Sequence, residues 1–208
     1  LMRGAPVADI RWIEGPLCFV FHYLNAWNDG DQITVDTIEF AVAPNFPLVD
    51  GALPSYADAQ GKLVRWHINL KNGVVRQEPV LDVPSEFPRM DERHAGNRHR
   101  HGYIAAASTR QRGDKGLFHE ITHIDLDSGS TRTWDAGVGN GVSDPVFVPA
   151  CGGAAEGVGW LLATVYKHDA KNSDLVVLNA EAVNDGPVAT IRLDHRIPFG
   201  FHGSWRAN

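Results

Sequence analysis

Basic residues are in short supply. The 208-residue chain carries 19 Lys and Arg against 25 Asp and Glu, a formal net charge of −6. Nucleic-acid binding draws on a basic face that neutralises phosphates, so this balance argues against such a partner. Cysteine is nearly absent. Cys18 and Cys151 provide no disulfide framework, and two reduced thiols in a cytoplasmic protein is the reading they favour. No apolar run approaches the roughly 20 residues of a membrane helix. No long apolar segment follows Leu1-Met2-Arg3-Gly4, so no signal peptide is read there. Sustained helical periodicity is missing too, which leaves no helix to carry the H-x-x-x-H spacing of a helical metal site. There is no G-x-S-x-G, and neither cysteine has a workable histidine partner, although Cys18 is four residues from His22. Gly137-Val138-Gly139-Asn140-Gly141 is followed by no helix, so it reads as a turn rather than a phosphate loop.

What is present is a succession of short strands punctuated by turn residues. Residues 18–22 are a compact apolar run, Asn28-Asp29-Gly30-Asp31 is a turn, and residues 32–36 alternate polar with apolar, which together predict a hairpin. The same unit recurs at residues 63–70 and 74–78 around Lys71-Asn72-Gly73, at residues 119–125 and 131–134 around Ser128-Gly129, and at residues 159–166 and 174–179. Ile10-Arg11-Trp12 also reads as strand, as though the chain opened partway through a domain. The 21 glycines and 12 prolines fall mostly between these runs. Hairpins grouped about four strands to a unit predict an all-β fold of propeller blades rather than a sandwich. Residues 43–61, with Pro44, Pro47 and Pro54, read as a long loop.

Ten histidines are many for this length. His67, His119 and His123 lie on alternating strands, where half-exposed imidazoles are common. His94, His99 and His101 sit in a charged run that reads as a solvated loop for His94, and His168 and His195 read as surface. His22 and His202 differ, because each lies within an apolar or aromatic stretch and is expected to be buried. A buried neutral imidazole needs a partner for both nitrogens. Metal on one and carboxylate on the other is one solution, and a pair of backbone hydrogen bonds is another. The distant spacing of the two favours neither. Glu86 and Asp144 each precede apolar, strand-like residues, an odd place for a surface charge, although Asp144 before Pro145 also suits a turn cap.

Five stretches taken in order carry a resemblance: Phe21-His22-Tyr23-Leu24-Asn25-Ala26-Trp27, Glu86-Phe87-Pro88-Arg89, Asp144-Pro145-Val146-Phe147-Val148-Pro149, the strand at 159–162 with residues 175–178 after it, and Pro198-Phe199-Gly200-Phe201-His202-Gly203-Ser204-Trp205. Together they span nearly the whole chain, which resembles the carotenoid cleavage oxygenases, a family that includes bacterial lignostilbene dioxygenases. The resemblance implies a seven-bladed β-propeller with a non-haem Fe(II) on its axis. In that family four histidines hold the iron, three of them hydrogen-bonded to carboxylates. His22 then corresponds to the third ligand, His202 to the fourth, and Glu86 to one supporting glutamate. Asp144 falls where another glutamate is usual and is one methylene shorter. Asn28 stands where an acidic residue is usual and is read as hairpin structure. The other eight histidines match no ligand motif, and family members run to more than twice this length. Residues 1–208 are therefore expected to be the C-terminal part of one propeller domain.

By resemblance the full enzyme cleaves a conjugated C=C bond of a carotenoid, apocarotenoid or stilbene with O2 to give two carbonyl products. Phe199 and Phe201 are expected either to wall an apolar substrate pocket or to pack in the propeller core. The resemblance also leaves room for peripheral membrane contact by a full-length protein. Two other readings stay open. One is a non-catalytic propeller fragment or binding module, because two ligands are too few for the family site. The other is a sugar-processing propeller hydrolase, which needs Glu86 and Asp144 close together and open to solvent.

Overall fold

The computed structural model describes residues 6–55, 57–108 and 117–207. Among the described residues thirteen strands build three antiparallel sheets, and the only helical elements are three 3-10 turns, Val7–Asp9, Glu92–His94 and Val183–Asp185. The first sheet runs β1 (Phe19–Asp29), β2 (Gln32–Phe40), β3 (Lys62–Asn69), β4 (Val75–Leu81). The second runs β5 (Ser85–Met90), β6 (His101–Ala106), β7 (Glu120–Asp125), β8 (Ser130–Asp135). The third runs β10 (Val146–Pro149), β11 (Gly159–Lys167), β12 (Asn172–Asn179), β13 (Pro187–Arg192), with the two-residue β9 (Gly141–Val142) also on β11. Each sheet is a meander in sequence order, as short turns dictate. The β1–β2 turn, for example, closes on Gly30 at φ 57°, a left-handed conformation that a residue without Cβ adopts freely. Gly137 and Gly139 lie between the second and third sheets, also at positive φ, so that run is a turn. The 43–61 segment has no strand or helix among its described residues.

The sheets stand side by side, with β1 against β5 and β5 against β10, so the first strand of each is the inner one. Two hydrophobic cores fill the gaps. Leu24, Ile38, Phe40, Leu63, Ile104 and Ile124 pack between the first and second sheets. Tyr103, Ile121, Phe147, Leu161, Val176 and Leu178 pack between the second and third. Burying each such side chain contributes about 1.5–3 kcal/mol. Adjacent Tyr103 and Ile104 face opposite gaps, so the middle sheet is covered on both faces and all six residues of β7 are buried. That corrects the expectation for His119 and His123: both are buried, because alternation along a strand exposes one face only when that face meets water. His99 is buried as well, while His168 and His195 are exposed as expected.

Ile10-Arg11-Trp12 is not a strand. Residues 10–18 cross the first sheet without regular structure, with Arg11 donating to the Leu70 carbonyl. Gly15 and Pro16 interrupt the run, and proline has no N–H for a ladder. Among the described residues, no helix is long and apolar enough to cross a membrane.

Candidate metal centre

The sequence-predicted site residues lie on or beside the inner strands. His22 is in β1, Glu86 in β5, and Asp144 in the gap between β9 and β10. That gap exists because β9 and β10 pair in succession with β11, and Pro145 cannot donate to the ladder between them. Ser143 spans the break: its amide donates to the Thr164 carbonyl, and its Oγ accepts the Thr164 amide, each at 2.9 Å. His202 comes from the tail beyond β13, which Ser173 fastens by accepting the Ile197 amide at 3.0 Å.

Backbone irregularities aim these side chains. β1 shifts register across His22, between Val20 and Tyr23, and again between Tyr23 and Asn25. β5 shifts between Glu86 and Arg89, where Phe87 sits at φ 54°. A bulky residue in the left-handed region is an uncommon conformation, and bulges of this kind re-aim side chains near functional sites. The Phe87 ring lies 5.5 Å from the His22 ring and 6.1 Å from that of His202.

The two imidazoles converge, with Nε2 of His22 3.0 Å from Nε2 of His202. His22 Nδ1 lies 2.6 Å from Glu86 Oε2, which also accepts the Phe87 amide. A carboxylate only accepts, so Nδ1 carries the proton and Nε2 presents a bare lone pair. His202 Nδ1 faces Asp144 Oδ2 at 3.6 Å, beyond hydrogen-bond range, so this contact does not fix the ring's tautomer. With its proton on Nε2, His202 donates to His22 Nε2; with its proton on Nδ1, two lone pairs face each other and repel unless a cation lies between them. Two nitrogens about 2.1 Å from one ion, at right angles about it, would be roughly 3.0 Å apart. The donor set therefore fits a transition metal that accepts imidazole.

Several expectations need correction. His22 and His202 are not buried: their side chains are 24% and 48% exposed, because they stand at the inner edge of the sheets and not in the gaps between them. Glu86 and Asp144 are the buried partners, at 5% and 2% exposure. Asp144 is no turn cap. Its carboxylate accepts the Gly203 amide at 3.1 and 3.2 Å and faces Arg89 Nη1 at 3.4 Å. Its shorter side chain leaves it outside hydrogen-bond range of His202. Phe199 and Phe201 are exposed and not packed in a core. Phe201 and His202 line a cleft of about 410 Å³ between the tail and the third sheet. Phe199 and Phe201, with Phe87, Phe118 and Tyr166, line a neighbouring one of about 290 Å³.

Some residues gained a role only in three dimensions. Asn25 clamps the first sheet to the second: its Nδ2 donates to the Asn97 carbonyl at 2.8 Å and His99 Nδ1 at 3.1 Å, and its Oδ1 accepts the Gly96 amide at 3.0 Å. Asn28 pairs with Ile33 in the hairpin ladder. His119, Glu120 and Asp135 place donor atoms within 4.8 Å of one another, but Glu120 already accepts from the Ser108 amide and Oγ at 2.6 Å each. His119-Glu120-Ile121-Thr122-His123 has the letters of the H-E-x-x-H zinc motif. On an extended chain the two histidines stand roughly 13 Å apart, and they do not converge as they would on a helix.

The architecture defines a class first: meander sheets of four main strands with adjoining inner strands are blades of a β-propeller. The model of the family described as retinal pigment epithelial membrane protein, RPE65, matches residues 2–207. The chain belongs to this family, that of the carotenoid oxygenases. It is 33% identical to the isoeugenol monooxygenase of Pseudomonas nitroreducens over 99% of this chain and 45% of that protein. Against the apocarotenoid-15,15'-oxygenase of Synechocystis it is 33% identical over 95% of this chain and 40% of that protein. The crystal structure of Pseudomonas brassicacearum lignostilbene dioxygenase superposes with a TM-score of 0.90 at 30% identity, covering 97% of this chain and 44% of that one. That of cobalt-substituted Synechocystis ACO gives 0.81 at 31% identity, covering 91% and 40%. The chain thus spans somewhat less than half the length of the relatives it matches.

Proposed function

We propose that residues 1–208 form the C-terminal part of a single β-propeller domain, in which His22 and His202 are two ligands of a non-haem Fe(II) and Glu86 and Asp144 support them. The domain acts as a dioxygenase that splits a conjugated C=C bond with O2, one oxygen atom passing to each carbonyl product. The observation that carries this reading is the 3.0 Å approach of two Nε2 atoms, each imidazole having its Nδ1 toward a buried carboxylate. Ferrous iron would supply the redox chemistry that lets O2 react with an alkene. This chain's own residues hold and screen the site. Glu86 keeps the proton on Nδ1 of His22 and so keeps Nε2 available as a neutral donor. Phe87, Phe199 and Phe201 offer apolar walls to a flat conjugated substrate. The relatives named for isoeugenol, lignostilbene and apocarotenoid all support a substrate whose double bond is conjugated to a ring or polyene. The two free thiols suit a cytoplasmic location.

The second reading, a binding module without catalysis, draws on one observation: among the described residues only two imidazoles meet at this point. The hydrolase reading loses its footing, because Glu86 and Asp144 are buried and each faces a histidine. The test is to supply Fe(II), O2 and isoeugenol, a hydroxystilbene or an apocarotenal, and to measure carbonyl products. The full-length protein is expected to cleave at least one of them, and H22A and H202A none. The 208-residue chain alone is expected to bind Fe(II) weakly and to be inactive. Robust turnover by that chain would refute the two-ligand half-site, and no product from the full-length protein would refute the dioxygenase.

A further inference from the structure

Arg89 has a place at the centre that its side chain could not hold on a regular strand. Residues three apart on a strand face opposite sides. In β5, however, Glu86 pairs with Ala105 and Arg89 with Tyr103, so three steps on β5 match two on β6. The extra residue is the bulge at Phe87, and it returns Glu86 and Arg89 to one face. Glu86 reaches His22 from there. Arg89 reaches Asp144, Nη1 to Oδ2 at 3.4 Å, while its Nη2 donates to Glu92 Oε1 at 2.9 Å. Asp144 in turn accepts the Gly203 amide through both oxygens, one residue from His202. A Cβ at Gly203 would come within 3.2 Å of Val146 Cγ2, so the tail lies tight against β10 at this point.

We infer that Arg89 is a positioning residue for the metal centre: it fixes the Asp144 carboxylate, which grips the Gly203 amide and so sets the tail that presents His202. A planar guanidinium can serve Glu92 and Asp144 from its two ends at once, which a lysine ammonium cannot. Asp144 is buried, and an unpaired buried carboxylate does not keep its place without a counter-charge. One strand thereby supports both histidines, His22 directly through Glu86 and His202 indirectly through Arg89 and Asp144.

This inference rests on the metal reading above, and its test separates the two. Hydrogen exchange of the Gly203 amide, measured by NMR without metal, reports the grip. Co(II) titration reports the centre. R89M is expected to speed Gly203 exchange and to weaken Co(II) binding by about tenfold. R89K is expected to fall between R89M and wild type in both. E86Q is expected to weaken Co(II) binding and leave Gly203 exchange as in wild type. A folded R89M with wild-type exchange and wild-type Co(II) affinity overturns the proposal. Should R89M fail to fold, wild-type values of both in R89K overturn it. If wild-type protein binds no Co(II), the metal reading fails, and Gly203 exchange in R89M alone decides whether Arg89 sets the tail.

Discussion

At the scale of single residues the proposed metal centre depends on which atom carries a proton. His22 has its Nδ1 2.6 Å from a carboxylate buried beside the strand, which fixes the tautomer and leaves Nε2 for a ligand. The second carboxylate oxygen, Glu86 Oε1, is buried with no hydrogen-bond partner among the described residues. Glu86 therefore directs its charge through Oε2, at His22 Nδ1 and the Phe87 amide. Glu86→Gln keeps the shape and removes that charge. A carboxamide can still accept from Nδ1 with its oxygen, but the bond loses its ionic character. Metal affinity is expected to fall about 10–100-fold, with the fold intact by circular dichroism. Isothermal titration with Co(II) would measure it, and unchanged affinity would show that the carboxylate does not tune the centre.

At the scale of elements the question is how the inner strands are held where their side chains meet. β10 is only four residues long and is set by its pairing with β11, where Pro149 faces Gly159. A Cβ on Gly159 would lie 2.2 Å from the Val148 carbonyl oxygen and 3.0 Å from Pro149 Cα. Both are backbone atoms and cannot swing aside. Gly159→Ala is expected to destabilise the protein by about 1–3 kcal/mol or more through strain in this pair. Gly152→Ala, in the loop before β11 with nothing within 4 Å, is expected to be neutral within about 0.5 kcal/mol. Urea midpoints for the two variants would settle the comparison. Because β10 continues from Asp144, loss of the pair is also expected to loosen the Asp144–Gly203 contact.

At the scale of the whole molecule the sheets are joined by buried side chains, and titratable groups are buried beside them. Tyr103 stacks across the gap on Phe147 of the third sheet at 5.7 Å and, within the second sheet, on His123 at 5.1 Å, whose Nε2 shares a hydrogen bond with His101 Nδ1 at 2.9 Å. Burial first, and then the neighbouring His101 and Arg132, push the His123 pKa down to about 4. His99 and His101 are pushed down chiefly by burial. An unfolded histidine takes up a proton near pH 6.5, where the folded His123 still refuses it. Its contribution to stability is therefore complete above pH 6.5, shrinks as the pH falls, and is lost below about pH 4. The span corresponds to about 3 kcal/mol for this one group. Denaturant midpoints are expected to drop between pH 7 and 4.5, and His123→Gln is expected to flatten that slope. A wild-type midpoint independent of pH over this range would refute the account.

The sequence by itself determined the all-β class and most of the hairpins, and by resemblance it nominated His22, His202, Glu86 and Asp144 as one group without saying which carboxylate meets which histidine. These rest on local signals: alternation, Gly and Asn turns, and motifs that keep their order along the chain. Inner strand β5 and outer strand β13 were not legible as strands, because β5 carries a bulge and a proline and β13 is exposed along its whole length. Tertiary structure alone decided the rest. Covering the middle sheet on both faces buried His119 and His123, which alternation had placed half in water. The left-handed backbone at Phe87 put Arg89 on the face of Glu86, a consequence that three-residue spacing contradicts. The reach of Asp144 ended at the Gly203 amide and not at His202 Nδ1, because a distance of one methylene is settled only when both backbones are fixed in space.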